Sequence, residues 1–427
     1  MARIFDIPEF YRSSIISVIK QARRLQDHRK RDLSPSILAL GPVTFKIARH
    51  FGFCFGVENA IEIAYRAIKE NPGRRIYLLS EMIHNPHVNQ DLISRGVKFI
   101  YSSDGTQLVN YNELSPEDIV IVPAFGTTVE LFRKLREIGI NPQLYNTTCP
   151  FVEKVWKRAA QLGEKGFAVV IHGKHSHEET KATFSHARLS GASMVIRDIE
   201  EAKMLASFIR LERDWQEFDN YFAGRYSEDF VPEKHLQKLG VVNQTTMLAS
   251  ETHTISRILK EALSSRFGEK QLSEHFADTR DTLCYATSEN QNSIKGLLES
   301  GGDLAVVVGG YNSSNTSHLV ELLEQKVPTY YIKDDSEIIS KKEIRHLDLH
   351  SKKITVTENW LPENQPVEIL ITAGASCPDV LVDRVITTIS SYYGLEQQIK
   401  DALRPYQQQL EGPECEKQAI SATTTCY

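Results

Sequence analysis

Three cysteines of this chain occur in the same local setting. Cys54 in GFCFGVENA, Cys149 in NTTCPFVEKVW and Cys284 in DTLCYATSENQ each come directly before a segment with the apolar spacing of a helix. A helix N-terminus lowers the pKa of a thiol, and the thiolate is the form that binds metals. A single cysteine of this kind is as often a buried structural thiol as a metal ligand. Three matching settings, however, predict three similar modules that each offer one thiolate to a shared metal centre.

Three thiolates fit two kinds of metal site. Structural zinc usually has four protein ligands, whereas an iron–sulfur cluster held by three cysteines leaves one iron open to a substrate. Cys377 in GASCPD is a candidate fourth ligand that would close the cluster, although its Gly-Ala-Ser loop is more typical of a ligand-binding turn. Cys415 and Cys426 lie in a polar C-terminal segment and are interpreted as ordinary thiols.

The elements that must position these thiols alternate along the chain. Short apolar runs of β type are followed by polar loops and then by helical patterns, which predicts βαβ units and largely parallel sheets. The runs are residues 76–80, 118–126, 167–174, 239–246, 304–310 and 368–376. In such folds ligands bind where the carboxyl ends of strands meet the N-termini of helices, so the loops are the places to look for function.

Five of these loops are crowded with hydroxyl, amide and imidazole groups. They are residues 82–89, 171–180, 241–247, 310–318 and 372–376. One such loop is usually a helix cap, but five of them beside three cysteines predict a small anionic substrate held over a metal centre. Neither G-x-G-x-x-G nor a P-loop occurs, so the electrons of a redox reaction would come from another protein.

Composition excludes several classes of protein. A chain of 427 residues with a net charge of -5 and 25% charged residues predicts several globular domains and no nucleic-acid partner. No apolar run approaches the ~20 residues of a membrane helix, which predicts no membrane contact. Asp6 and Glu9 disfavour a signal or transit peptide, so a cytoplasmic location is expected, with the plastid stroma as the alternative.

Eight motifs in order, from about Val43 to about Val385, resemble those of the 4-hydroxy-3-methylbut-2-enyl diphosphate reductase family. They are GFCFGVENA, EMIHNPHVN, TTCPFVEKVW, HGKHSHEET, NQTTM, CYATSENQ, GGYNSSNTSHL and TAGASCPD. The resemblance implies an α/β fold of three similar α/β modules in a trefoil around a central iron–sulfur cluster. It implies a [4Fe-4S] cluster held by Cys54, Cys149 and Cys284 with one open iron, and makes Cys377 a neighbour.

The resemblance also implies the roles of other residues. Glu179 matches the carboxyl group that delivers a proton, with Thr245 in the same relay, whereas the residues alone leave Glu178 and Glu179 as equal candidates. The substrate's diphosphate would be bound by His84, His177, Thr245, Ser313, Ser314, Asn315 and Ser376.

The implied reaction is the reductive dehydroxylation of 4-hydroxy-3-methylbut-2-enyl diphosphate to isopentenyl and dimethylallyl diphosphate, the last step of the non-mevalonate isoprenoid pathway. It requires an external electron donor protein such as ferredoxin or flavodoxin. Two alternatives come from other classes. An iron–sulfur hydro-lyase acting on a small anionic substrate would need no reductant, and a non-enzymatic zinc or iron–sulfur interaction protein would bind no diphosphate.

The expected organisation has an N-terminal extension (1–42), three modules (43–148, 149–282 and 283–385) and a C-terminal helix and tail (386–427). Two departures from the compact bacterial pattern stand out. Phe125 replaces a histidine of many bacterial members, as in the plant-like and cyanobacterial-like branch, so one contact is lost or supplied by water or His87. An aromatic, charged insertion near residues 205–238 is interpreted as a solvated helical excursion or as a docking or dimer surface.

Overall fold

The computed structural model describes residues 5–277 and 282–411. Cys415 and Cys426 lie outside these ranges, so their interpretation stays a prediction. The described residues belong to two compact units. Unit 1 is formed mainly by Phe55–Ser288, and unit 2 by Asp6–Cys54 together with the chain from Glu289 onward.

Strands and helices alternate along most of the chain. The strands are β1 (Ser36–Ala39), β2 (Val43–Ile47), β3 (Ile76–Leu78), β4 (Lys98–Phe99), β5 (Ile119–Val122), β6 (Tyr145–Asn146), β7 (Ala168–His172), β8 (Ser193–Ile196), β9 (Leu239–Asn243), β10 (Phe276–Ala277), β11 (Leu304–Val308), β12 (Thr329–Ile332), β13 (Glu343–Asp348), β14 (Lys353–Glu358) and β15 (Val367–Ala373). The helices are α1 (Ile16–Gln26), α2 (Phe55–Glu70), α3 (Pro86–Ser94), α4 (Val129–Glu137), α5 (Pro150–Glu164), α6 (Glu178–Ala187), α7 (Ile199–Ile209), α8 (Phe218–Phe222), α9 (Pro232–His235), α10 (Ala249–Phe267), α11 (Leu272–His275), α12 (Tyr285–Ser300), α13 (Ser314–Leu323), α14 (Asp379–Ser391) and α15 (Glu396–Leu410).

Unit 1 contains two sheets of parallel strands. Their orders are β4-β3-β5-β6 and β10-β9-β7-β8. Every residue of the central strands β5 and β7 is buried, because helices cover both faces of a parallel sheet. This explains why these strands are continuous apolar runs rather than alternating ones.

Unit 2 contains the third sheet, with the order β1-β2-β15-β11-β12, and the antiparallel hairpin β13–β14. Within the five-stranded sheet only β1 runs antiparallel to its neighbour. The three sheets confirm the predicted α/β class. The expected boundaries assign β2 to the first module, but β2 pairs with β15 in the third sheet.

The insertion near residues 205–238 builds core. Phe218, Phe222 and Phe230 are buried and pack with Phe208 of α7 in one apolar cluster with residues of β7, β9 and α10. Most of the charged residues of this segment are exposed, whereas these three phenylalanines are core residues rather than surface residues.

The N-terminal extension is folded. The spacing of Ile15, Ile16, Ile19 and Ala22 predicts an amphipathic helix, and these four side chains are buried at the start and along one side of α1. Ile16 and Ile19 join the hydrophobic core of unit 2. None of the helices within residues 5–277 and 282–411 has the length and apolar character needed to cross a membrane.

Candidate active site

Each of the three cysteines directly precedes a helix, as the sequence predicts. Cys54 precedes α2, Cys149 is the N-cap of α5 with Pro150 in the first turn, and Cys284 precedes α12. Cys54 and Cys149 are half-buried and Cys284 is buried. Cys54 belongs to unit 2, and the other two cysteines belong to unit 1.

The environment of Cys284 corrects one prediction. Burial raises the pKa of the Cys284 thiol above its ordinary value, although the backbone N–H groups of Thr287 and Ala286 act in the opposite direction. The nearby carboxyl group of Glu179 also favours the neutral thiol. The prediction of a lowered pKa is therefore wrong for Cys284, because desolvation outweighs the helix N-terminus.

Cys377 lies in the hydrophobic core of unit 2. Its side chain is fully buried, its Sγ is 3.6 Å from the carbonyl oxygen of Pro378, and burial raises the pKa of its thiol. A thiol enclosed by the core is not placed like the cysteines at the helix N-termini. This position supports Cys377 as a neighbour of the site rather than a fourth ligand.

Glu179 and Thr245 are hydrogen-bonded to each other in unit 1. Glu179 lies in the first turn of α6, and Thr245 follows β9. The Thr245 backbone N–H donates to Glu179 Oε1 at 2.5 Å, and the Thr245 hydroxyl donates to Oε2 at 3.0 Å. Glu179 is 2% exposed, and burial raises its pKa to about 7 despite these two donors. The carboxyl group is therefore about half protonated near neutral pH.

Glu178 is distinguished from Glu179 by its surroundings. Burial also raises the pKa of Glu178, but the side chain has contact with Ser80 rather than with Thr245. Its Oε2 is buried without a hydrogen-bond partner among the described residues. The sequence alone makes Glu178 and Glu179 equal candidates for the proton-delivering carboxyl group. In the structure, only Glu179 accepts the two hydrogen bonds of Thr245.

His84 and His177 form a pair in the same unit. His84 precedes α3, His177 is the N-cap of α6, and their Nε2 atoms are 3.1 Å apart. The Glu179 N–H donates to His177 Nδ1, so the neutral His177 ring must carry its proton on Nε2 and donate to His84. Burial and the charges of His84, Lys174 and Lys181 lower the pKa of His177 well below its ordinary value.

Phe125 fills the space beside this pair. Its ring stacks on His84 with the centroids 4.2 Å apart, and it meets His177 edge-on at 5.9 Å. An apolar ring therefore covers one side of the imidazole pair. The sequence showed the replacement at residue 125 but not this stacking, because Phe125 and His84 follow different strands.

Unit 2 supplies the second group of predicted residues. Ser313 is the N-cap of α13, Ser314 and Asn315 lie in its first turn, and Ser376 follows β15. All four side chains are buried or nearly so. Asn315 Oδ1 accepts a hydrogen bond from the Ala375 N–H at 2.8 Å, while its Nδ2 is buried without a partner among the described residues.

The same Ala375 connects Asn315 to Cys54. The Cys54 N–H donates to the Ala375 carbonyl oxygen at 3.2 Å, so one peptide segment contacts both residues. Sequence reasoning missed this connection, since the three residues are far apart in the chain. The structure thus brings the predicted residues together as two groups, one in each unit.

Gln244 is a further residue that the sequence did not single out. Its Oε1 accepts hydrogen bonds from the Thr180 hydroxyl at 3.0 Å and the Lys174 N–H at 3.2 Å. It therefore connects the loop before α6 to the loop that contains Thr245. Its position inside NQTTM, next to Thr245, is the only sequence signal for this role.

Fold and site together define a class. The chain is an α/β protein with polar loops at the carboxyl ends of parallel strands and with cysteines at the starts of helices. It belongs to the LytB protein family, whose model matches residues 45–390.

Relatives in cyanobacteria are similar over most of the chain. A 4-hydroxy-3-methylbut-2-enyl diphosphate reductase of Gloeobacter violaceus is 39% identical over 361 residues, which cover 84% of this chain and 85% of the relative. The enzyme of the same name from Picosynechococcus is 40% identical over 353 residues, covering 82% of this chain and 85% of the relative.

One solved structure shows the same fold. It is the E-1-hydroxy-2-methyl-but-2-enyl-4-diphosphate reductase from Plasmodium falciparum, with a TM-score of 0.57 and 21% identity. The alignment covers 82% of this chain and 88% of that protein.

Proposed function

We propose that this chain reduces 4-hydroxy-3-methylbut-2-enyl diphosphate to isopentenyl and dimethylallyl diphosphate, with loss of the hydroxyl group as water. Membership of the LytB family and the names of its cyanobacterial relatives support this reaction. The reaction consumes two electrons and two protons, so the site needs a source of each.

The observation that carries the proposal is the buried pair of Glu179 and Thr245. A hydroxide ion is a poor leaving group, and an acid with a pKa near 7 can protonate it as it departs. The two hydrogen bonds from Thr245 fix the orientation of the carboxyl group. Glu179 delivers this proton, and Thr245 holds the carboxyl in place and can carry a proton back to it.

A diphosphate is bound by groups that the two units present separately. His84 and His177 offer imidazole groups in unit 1 as contacts for the anion. In unit 2 the N-terminus of α13 offers backbone N–H groups. The buried Nδ2 of Asn315 is a further donor and has no hydrogen-bond partner among the described residues. Ser313, Ser314 and Ser376 of unit 2 would add hydroxyl groups, and Thr245 of unit 1 is proposed as a further contact of the diphosphate.

The donor set fits an iron–sulfur cluster. Cys54, Cys149 and Cys284 share one setting at the start of a helix, and the raised pKa of Cys284 is of the kind that coordination to a cation reverses. No group of three or more His, Cys, Asp or Glu side chains within the described ranges is close enough to form a metal site by itself. The [4Fe-4S] cluster with three cysteine ligands is part of the proposal because membership of the LytB family supports it. When bound, it supplies electrons singly and one open iron for the substrate's hydroxyl group.

The electron donor is proposed to be a separate protein such as ferredoxin or flavodoxin. The support is the sequence, which has neither a dinucleotide-binding nor a P-loop motif.

Metal and sulfide analysis of anaerobically purified protein is the first test. We expect about four irons and four sulfides per chain, and their loss in each of Cys54→Ser, Cys149→Ser and Cys284→Ser. Cys377→Ala is the matched control and should keep the cluster, because its thiol lies in the core. Stoichiometric zinc, or a cluster that survives the three serine substitutions, would contradict the assignment.

The second test separates reduction from hydration chemistry. Loaded protein is mixed with the diphosphate substrate in the presence and absence of a reductant, and the products are identified. We expect isopentenyl and dimethylallyl diphosphate only when the reductant is present. Turnover without a reductant would instead indicate a hydro-lyase.

A further inference from the structure

The N-terminal extension contacts the loop that carries Cys54. Lys20 of α1 places its Nζ 2.8 Å from the carbonyl oxygen of Phe51 and 4.3 Å from the centroid of the Phe51 ring. The same Nζ donates to both carboxylate oxygens of Asp379, at 2.7 and 2.9 Å. A single ammonium group thus connects α1, the start of α14 and residues 51–54, which we call the Cys54 loop.

Gly52 makes this contact possible. Its φ of +77° is one that side chains disfavour, and an added Cβ would overlap Asp379 Oδ1 and come within 2.9 Å of Lys20 Nζ. The Cys54 loop is therefore shaped to receive the ion pair of Lys20 and Asp379.

The rest of the Cys54 loop is held in a similar way. The Phe53 ring meets the ring of Tyr11, another residue of the extension, at 5.7 Å. Cys54 itself donates to Ala375 through its backbone N–H. The contacts of Lys20 and Tyr11 with this loop thus come from residues outside the part that the family model matches, residues 45–390.

The extension is itself firmly attached to α14. Asp383 of α14 accepts hydrogen bonds from the backbone N–H groups of Ser14, Ile15 and Ile16 at 2.8, 2.9 and 3.1 Å. This buried carboxylate caps the start of α1. Asp383 lies one helical turn after Asp379, the residue of α14 that binds Lys20. The helix that carries Lys20 is therefore held in place next to the Cys54 loop.

We infer that Lys20 is a positioning residue for Cys54, so that the N-terminal extension is a working part of the thiol site. This inference rests on the proposed function only in taking Cys54 to be a metal ligand. The α1 helix, the Lys20 ammonium and Gly52 together hold the Phe51 carbonyl, and this restricts where the Cys54 sulfur can lie.

The test measures the reactivity of Cys54 in the full-length, metal-free protein. Lys20→Met removes the ammonium and keeps the aliphatic stem, Lys20→Arg keeps the charge, and Arg24→Met removes an exposed charge from the same helix. Each protein is alkylated with iodoacetamide, and the rates at Cys54 and Cys149 are followed separately by peptide mass spectrometry. Thermal unfolding is recorded for every variant.

We expect Lys20→Met to raise the alkylation rate of Cys54 by about tenfold while Cys149 is unchanged, the size of effect that the loss of a hydrogen bond to a charged group can produce. Lys20→Arg should largely restore the slow rate, and Arg24→Met should match the parent. Unchanged Cys54 reactivity in Lys20→Met would overturn the inference. Equal acceleration at Cys54 and Cys149, with a lower unfolding temperature, would also overturn it, because it would indicate general loosening.

A second readout uses the anaerobically reconstituted protein. Loss of visible absorption on adding an iron chelator should be several-fold faster in Lys20→Met than in Arg24→Met if Cys54 is a ligand. Should the protein bind no cluster, the alkylation experiment still decides whether Lys20 positions Cys54. Failure of the proposed function and failure of this inference are thereby separate results.

Discussion

Glu179 is a carboxyl group that the fold keeps partly neutral. Burial disfavours the charged form of Glu179 more strongly than the two Thr245 hydrogen bonds favour it, so the pKa is raised to about 7. The pKa of the neighbouring Glu178 is also raised by burial, so the feature that distinguishes Glu179 is the pair of Thr245 donors that orients its carboxyl group. Proton delivery by Glu179 thus depends on its hydrogen bonds to Thr245, which comes from a separate segment of the chain.

Replacing Glu179 by Gln tests its role as an acid. The amide keeps the shape and can still contact Thr245, but it cannot give up a proton to the leaving hydroxyl group. We expect kcat to fall by about 10²- to 10⁴-fold with little change in substrate affinity. Steady-state kinetics with binding measured separately would show this, and Glu178→Gln is the matched control, with a loss smaller than tenfold. Equal losses in the two variants would contradict the assignment.

The raised pKa of Glu179 also predicts a pH-dependent stability. The native state holds this proton up to a pH of about 7, whereas the unfolded chain releases it near 4.5, so the contribution of Glu179 to stability is lost as the pH rises between these values. Glu179→Gln lacks this loss. We expect the variant to gain about 2 to 3 kcal/mol relative to the parent between pH 5 and pH 8. Urea unfolding at both pH values measures the difference, and a constant difference would refute the buried-acid interpretation.

At the scale of elements, the insertion between α7 and β9 belongs to the core of unit 1. Phe222 is fully buried among other aromatic rings, so truncation would leave a cavity. We expect Phe222→Ala to lower the free energy of unfolding by about 3 to 5 kcal/mol. Val231→Ala, at a position that is 49% exposed in the same segment, should change it by less than about 0.5 kcal/mol. Denaturant unfolding of both variants checks this, and a small loss in Phe222→Ala would favour the solvated excursion.

Much of the local structure is predictable from the sequence. The helices that follow Cys54, Cys149 and Cys284 carry their own signals in apolar spacing and in Pro150, and the parallel strands are recognisable as short apolar runs. The contacts of Phe125 with His84 and of Lys20 with Phe51 are not predictable in this way. They join residues of separate elements, for which neither spacing nor composition gives a distance.

At the scale of the whole molecule, the order of the chain and the order of the sheets differ. β2 lies between β1 and β15, and Val43 pairs with Val367. Spacing along the sequence suggested boundaries in chain order because local patterns carry no record of such distant pairing. The partner of β2 is fixed only by tertiary packing.

This pairing predicts a long-range effect of a single substitution. Ile369 of β15 is fully buried and lies opposite Phe45 of β2, so Ile369→Ala should destabilise unit 2 by about 2 to 5 kcal/mol. Hydrogen exchange should speed up in residues 43–47, far away in sequence, but not in residues 119–122 of unit 1. Val356→Ala on the exposed hairpin is the control. Equal acceleration in both segments would argue against separate units.

The position of β2 also has a consequence for synthesis on the ribosome. Its partner β15 emerges 324 residues later, which corresponds to tens of seconds at roughly 5 to 20 residues per second. During that interval the apolar strand is made but cannot be paired with β15, while the chain of unit 1 is completed in between. The nascent protein therefore carries an unsatisfied sheet edge for most of its translation, and this is the stage at which we expect it to depend on chaperones.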